Sequence, residues 1–159
     1  MELLLYILVF VLAFFATEFA AWFAHRYIMH GILWALHKDH HVNIKGNLEH
    51  NDWFAVIFAI PSIVCIFAGL KYDLPLVLTM GIGMAAYGAA YFIVHDVFIH
   101  QRIKLFRNTR NSYLLAIRRA HKIHHRQTGK NGAESFGFLV VNKKYFAKQV
   151  NSLFDKKLS

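Results

Sequence analysis

Three long apolar runs, Leu3 to Ala24, Trp53 to Leu70 and Leu74 to Val94, set the limits within which this chain can fold. Each is long enough, or nearly so, to carry a helix of about 20 residues across a hydrocarbon core about 30 Å thick. The composition agrees. Of 159 residues, 57% are hydrophobic and 16% aromatic, and the mean hydropathy is +0.35, too apolar for an ordinary soluble domain. Only Lys71, Tyr72 and Asp73 part the second run from the third, which predicts a tight helical hairpin. The expected architecture is an all-α integral membrane protein forming one membrane-embedded domain over residues 1–159. Its transmembrane helices number three to four, with spans at about 3–24, 53–70 and 74–94 and a polar, peripheral tail at about 142–159. A cleaved signal peptide is the competing reading of the first run. Met1-Glu2 lacks the basic start that such a peptide needs, and Trp22 and Phe23 spoil a small-residue cleavage site.

Basic residues predict the orientation, because short loops rich in Lys and Arg stay in the cytoplasm. Residues 25–52 carry Arg26, Lys38 and Lys45, the hairpin tip carries Lys71, and the other fourteen of the eighteen lie within 95–159. This asymmetry places the N-terminus outside and brings residues 25–52 and 95–159 to the cytoplasmic side. With no transit-peptide pattern in view, a multi-pass protein of a bacterial plasma membrane is expected.

Those two segments hold all eleven histidines, ten of them in two matching copies. His25-x(4)-His30 precedes His37-x(2)-His40-His41, and His95-x(4)-His100 precedes His121-x(2)-His124-His125. Imidazole is a ligand for iron, zinc, copper and nickel, so ten rings could hold two transition-metal ions with about five nitrogens each, leaving an octahedral ion about one open position. At about 100° per residue the three rings of His-x(2)-His-His share one stripe of a helix. In His-x(4)-His the rings would lie about 140° apart and about 7.5 Å along the axis. Such a pair either splits between the two ions or sits where a helix ends. A single histidine of this kind is ordinarily a hydrogen-bonded surface residue. Two ordered copies on one membrane face are what argue for metal. His50 stands outside both copies and reads as a loop residue or a hydrogen-bond partner of a ligand.

Other metal chemistries lack their parts. The paired Glu-x-x-His elements of soluble di-iron bundles are missing, and so is the His-Glu-x-x-His of zinc hydrolases; the chain has nine acidic residues in all. Cys65, the lone cysteine, permits no intrachain disulfide and says nothing of the redox compartment.

The strings around the histidines carry a resemblance over nearly the whole chain: HRYIMHG (25–31), HKDHH (37–41), KGNLEHNDWFAVIFA (45–59), AYGAAYFIVHDVFIHQR (86–102), AHKIHH (120–125) and ESFGFL (134–139). The chain resembles the bacterial beta-carotene 3-hydroxylases, a branch of the membrane fatty-acid hydroxylase superfamily with histidine-rich di-iron sites. The histidine boxes alone mark the superfamily, which includes desaturases and sterol hydroxylases. The YIMHG, ND, YF-x-VHD and SFGFL strings point to the carotenoid branch. The resemblance implies hydroxylation of ring carbon 3 of each beta-ionone ring, taking beta-carotene through beta-cryptoxanthin to zeaxanthin. It implies two non-haem iron ions, O2 as co-substrate and electrons from a ferredoxin-type donor. Carried over by position, the metal ligands are His25, His30, His37, His40, His41, His95, His100, His121, His124 and His125. Many superfamily members have two spans before their first box, whereas here there is room for one, so Tyr27 to Leu36 is expected as a short re-entrant or interfacial helix.

The chemistry agrees with that implication. A ring methylene has no acidic proton for side chains to remove, so activation falls to the metal and the protein is left to place the substrate. Two alternatives stand beside it. One is hydroxylation or desaturation of another lipid, a fatty acyl chain or a sterol. The other is metal binding or transport, which would put ligands near the bilayer midplane rather than at one face.

Several further residues carry expectations. Glu18 is an ionisable group inside the first span, costly there and functional by default. Too far from His25 to touch it, it could accept the outer N–H of a metal-bound imidazole on another helix or simply pair with a polar neighbour. Asp52 and Asp96 could play the same part, while Tyr87, Tyr91 and His95 lie on one side of the third span, where Tyr91 could form a wall of the site. Gly81, Ala85 and Ala89 form a small-residue stripe suited to close helix packing. The basic run Arg102 to Arg126 is expected against anionic lipid headgroups, or as a docking surface for an acidic ferredoxin, rather than against nucleic acid.

Overall fold

In the computed structural model, residues 1–42 and 48–146 are described. Helix α1 (Glu2–Phe23) passes without a break into wide π-helical turns over Ala24–Ile32. That extension stops at Gly31, whose φ of −109° and ψ of −117° are not helical, and α2 (Trp34–His41) leaves at an angle. A 3-10 turn, His50–Asp52, leads into α3 (Trp53–Lys71). Glu49 and Asp52 cap that turn reciprocally, each carboxylate accepting the other's backbone N–H. Helix α4 (Pro75–Tyr91) starts with proline at its first turn, where the missing N–H costs nothing, and runs on as π-helical turns over Phe92–Ile99. Helix α5 (Ser112–His124) is capped by the Asn111 side chain, which accepts the Leu114 N–H at 3.1 Å. A 3-10 turn, Lys143–Phe146, ends the described chain.

Among the described residues, three helical stretches are long and apolar enough to cross a membrane: Glu2–Ile32, His50–Lys71 and Pro75–Ile99. They outrun the expected spans at the histidine end, because the π-helical extensions continue α1 and α4. Tyr27 to Leu36 is no separate re-entrant helix; its first half belongs to the α1 extension and its second half opens α2. Leu3, Leu12, Phe19, Ile63 and Phe67 are each more than half exposed, as lipid-facing residues should be.

Helix α4 packs against both α1 and α3. Glycines permit the approach. A Cβ on Gly69 would lie 2.6 Å from the Leu78 nitrogen, one on Gly81 2.8 Å from the Ile66 nitrogen, and one on Gly83 2.7 Å from the Phe10 carbonyl oxygen. The expected stripe of Gly81, Ala85 and Ala89 is therefore corrected. Ala85 and Ala89 are exposed, and the contacts use Gly81 and Gly83, about 200° apart around the helix, because α4 is held on two opposite sides.

The tail is not peripheral where it begins. Tyr145 is buried with Ala116 and Ala120 of α5, and the Arg119 guanidinium donates to its carbonyl at 2.8 Å. Residues 147–159, and Lys45 in 43–47, lie outside the described residues.

Candidate metal centre

All ten motif histidines converge at one end of the bundle, since α1 and α4 both finish there and α3 starts there. Nine form two tight groups, in each of which one nitrogen per ring lies within 4.8 Å of the others. The first group is His25, His30, His37, His41 and His124; the second is His40, His95, His100 and His121. His125 lies between them, its ring centre 4.4 Å from that of His121 and 4.6 Å from that of His41. Its Nε2 is buried with no hydrogen-bond partner among the described residues.

The groups do not follow the two sequence halves. The middle histidine of each His-x(2)-His-His crosses over: His40 joins the late set and His124 the early one. Helix geometry explains the exchange. Relative to the first ring of the motif, the middle ring sits about 60° to one side and the last about 40° to the other, so one short helix can address two neighbouring positions.

The His-x(4)-His pairs are not split. His25 and His30 share one group, and His95 and His100 share the other, with ring centres 5.4 and 4.5 Å apart. Both pairs lie where the helix has widened and is about to end. The His100 N–H bonds to the His95 carbonyl at 2.9 Å, a five-residue step. With i→i+5 bonding, residue i+5 stands one turn above residue i, and the divergence of an α-helix disappears.

Most of the rings are aimed by what holds the outer nitrogen. Seven of the ten direct Nδ1 at an oxygen: His25 at the Phe136 carbonyl (2.9 Å), His30 at Lys130 (3.0 Å), His41 at Gln127 (2.7 Å), His124 at Glu134 (3.0 Å), His37 at Asn51 Oδ1 (2.6 Å), His40 at Glu49 (2.6 Å) and His95 at Asp96 (2.8 Å). Carbonyls and ionised carboxylates only accept, so the proton of these rings sits on Nδ1 and Nε2 points inward as a lone pair. Inside, Nε2 atoms face one another at 3.2 Å for His25–His37 and His41–His37, 3.1 Å for His30–His124 and His40–His95, and 2.9 Å for His100–His121. Lone pairs facing at these distances repel unless a cation sits among them. Nitrogens about 2.1 Å from a shared ion and at right angles lie about 3.0 Å apart. The donor set therefore fits a pair of transition-metal ions.

Burial favours the neutral rings that metals bind. It is the largest cause lowering His37 to about 3, His41 to about 4, and His100 and His124 to about 2. Neighbouring imidazoles lower each further, and the bonds to Asn51, Gln127 and Glu134 offset part of this for His37, His41 and His124. Burial pushes the Glu49 carboxyl up, and the Arg102 guanidinium holds it down.

The remaining expected residues fall into place one by one. Asp96 holds His95 directly. Tyr91 stacks on His95, ring centres 4.7 Å apart. Asp52 touches no histidine; it accepts from Arg102 at 2.8 Å, and Arg102 also reaches Glu49 at 3.2 Å, which holds His40. Glu18 reaches no histidine either, for both its oxygens are taken by Tyr87 and by backbone N–H groups of 138–140. His50 opens the 3-10 turn and pairs with Asp39 at 2.8 Å. Part of the basic run is consumed internally: Arg118 donates to the Phe98 carbonyl at 3.1 Å and lies over that ring. Sequence reasoning missed Glu49, Asn51 and the carbonyls of 127–136. The Glu49-x-x-Asp52 cap before an apolar run was a usable signal for the first two, since it places them at the start of a span and thus beside the histidines.

An apolar cavity of about 440 Å3 runs between α1, α3 and α4 toward the histidines. Ser62, Ile66 and Met84 line it among the spans, and Tyr91, Asp96 and Phe138 line it near the rings. Phe138 stacks on His25 at 5.4 Å and meets His95 edge-on at 5.4 Å, standing between the cavity and both groups. A separate opening of about 310 Å3 is lined by His40, His41, His100, His121, His125 and Lys122 among others, and shares no residue with the cavity.

Residues 10–143 match the fatty acid hydroxylase family. The beta-carotene hydroxylase of Pantoea ananas is 47% identical over 118 residues, covering 74% of this chain and 67% of that protein. That of Pseudescherichia vulneris is 45% identical over 123 residues, covering 77% and 69%. Beta-carotene 3-hydroxylase 1 of Arabidopsis thaliana, chloroplastic, is 33% identical over 142 residues, covering 87% of this chain and 45% of that protein. No solved structure matches the chain significantly. With the family profile spanning residues 10–143, well over half of the sequence, the chain belongs to the fatty acid hydroxylase family.

Proposed function

We propose that this chain is a membrane monooxygenase that hydroxylates ring carbon 3 of beta-ionone rings, converting beta-carotene through beta-cryptoxanthin to zeaxanthin. The observation that carries the reading is an apolar cavity among the spans that ends against the rings stacked on His25 and His95. The names of the bacterial relatives support the substrate.

The ten histidines would hold two iron ions, which when bound supply the activation of dioxygen that a ring methylene requires. The overall reaction inserts one oxygen atom into a C–H bond and reduces the other to water, consuming two electrons and two protons. The chain's own residues do the placing. The polyene lies against Phe58, Ile63 and Ile66, with water excluded. Phe138 and Tyr91 stop the ring at the histidine end. Reductant and protons enter by the opening at His100, His125 and Lys122, so the apolar and aqueous routes share no wall. The electron donor is a ferredoxin-type protein, drawn by the basic residues near that opening. The excess of basic residues in 95–159 supports a cytoplasmic location of the histidines in a plasma membrane.

The test is expression in cells that accumulate beta-carotene, followed by pigment analysis. Zeaxanthin and beta-cryptoxanthin are expected. Unchanged beta-carotene, with a hydroxylated or desaturated fatty acid or sterol in its place, would overturn the substrate assignment.

A further inference from the structure

The two groups of imidazoles are backed by different chemistry. In the first, His25, His30, His41 and His124 donate Nδ1–H to backbone carbonyls of a single strap, residues 127–136, and His37 donates to the Asn51 amide oxygen. Every outer partner is neutral. In the second, His40 donates to the Glu49 carboxylate at 2.6 Å and His95 to the Asp96 carboxylate at 2.8 Å. Arg102 fixes this acidic side, reaching Glu49 at 3.2 Å and Asp52 at 2.8 Å.

A carboxylate behind an imidazole pulls on the Nδ1 proton and makes the inward nitrogen more basic, whereas a carbonyl orients the ring with less effect on basicity. Two carboxylates also place negative charge just outside the second group, where it attracts a cation. The first group offers five rings in tight register and the second four, with His125 beside both, so ligand number does not favour the second.

Building on the dimetal reading, we propose that the two positions are inequivalent and that the carboxylate-backed group, His40, His95, His100 and His121, binds its ion more tightly than the carbonyl-backed group. The first position is then the one that empties and refills.

The experiment is anaerobic titration of the full-length, metal-free protein in detergent with ferrous iron against a competing chelator. Two resolved steps of one ion each are expected. Glu49→Gln and Asp96→Asn keep the size of each side chain and should loosen only the tighter step, by about 10–100-fold. Asn51→Asp puts a carboxylate behind His37 and should tighten only the weaker step, which gives a gain that a damaged fold cannot mimic. Mössbauer spectra of wild-type protein loaded with one and then two equivalents of 57Fe should show one quadrupole doublet followed by a second, distinct one. A single two-ion step, or Glu49→Gln loosening both steps alike, overturns the inference while leaving the dimetal reading intact. Failure to bind any iron overturns both.

Discussion

The Tyr87 hydroxyl on α4 donates to the Glu18 carboxylate on α1 at 2.8 Å, 69 residues apart in sequence and buried within the bundle. The other Glu18 oxygen accepts the N–H groups of Phe138, Leu139 and Val140 at 3.1, 2.9 and 3.1 Å. One carboxylate thus ties together two spans and the segment that carries Phe138. That segment follows directly on the strap whose carbonyls aim four histidines. Glu18→Ala leaves three backbone donors and a phenol without their acceptor, each worth about 1–3 kcal/mol when buried. We expect a loss on the order of 3 kcal/mol or more, seen as a lower unfolding temperature in detergent and faster amide exchange at 138–140. Glu18→Gln, whose oxygen still accepts the three N–H groups, should recover most of it.

Tyr87→Phe removes one hydrogen bond to a charged acceptor and leaves the backbone contacts of Glu18 in place. The expected cost is about 1.5–3 kcal/mol, with full metal content retained, measured by thermal unfolding beside metal analysis of the same preparation.

Glycines on α4 separate packing from substrate space. At Gly83 a methyl group would meet the Phe10 carbonyl at 2.7 Å and Ala13 at 3.0 Å, so Gly83→Ala should destabilise by about 1–3 kcal/mol. At Gly88, which lines the cavity, nothing lies within 4 Å. Gly88→Ala should keep full stability, while Gly88→Leu should fill the cavity and lower turnover with metal content unchanged. Pigment yields and unfolding temperatures of the three variants check this together.

The crossing of His40 and His124 makes a distinctive prediction for double variants. His41→Ala with His124→Ala removes two ligands from one group although they come from different motifs, and about one ion per chain should remain. His40→Ala with His41→Ala takes neighbours from one motif but strikes both groups, so both ions should be weakened and content should fall well below one. Metal analysis after gel filtration distinguishes the two patterns.

Much of the site could be read from the chain. Apolar length marked the three spans, and the repeated spacing marked all ten histidines, because both patterns are local. The widened turns around His25–His30 and His95–His100 were not legible: an α-helix and a π-helix differ in which carbonyl each N–H meets, and the side-chain types are the same for either. The crossing of His40 and His124 was hidden for a related reason, since each motif looks complete on its own. The carbonyls of Gln127, Lys130, Glu134 and Phe136 could not be found from residue types at all, as any residue supplies a carbonyl. Glu18 was visible as a costly residue in a span, and its partners, three backbone N–H groups 120–122 residues away, were not.

Iron content of the full-length protein, purified anaerobically after growth with excess iron, reads directly whether the two imidazole groups hold two ions. Two ions per chain are expected, with His37→Ala and His121→Ala each falling to about one, because each takes a ligand from a different group. A wild-type protein that binds no iron, or one ion held equally by both groups, would show that the histidines do not form two separate metal positions.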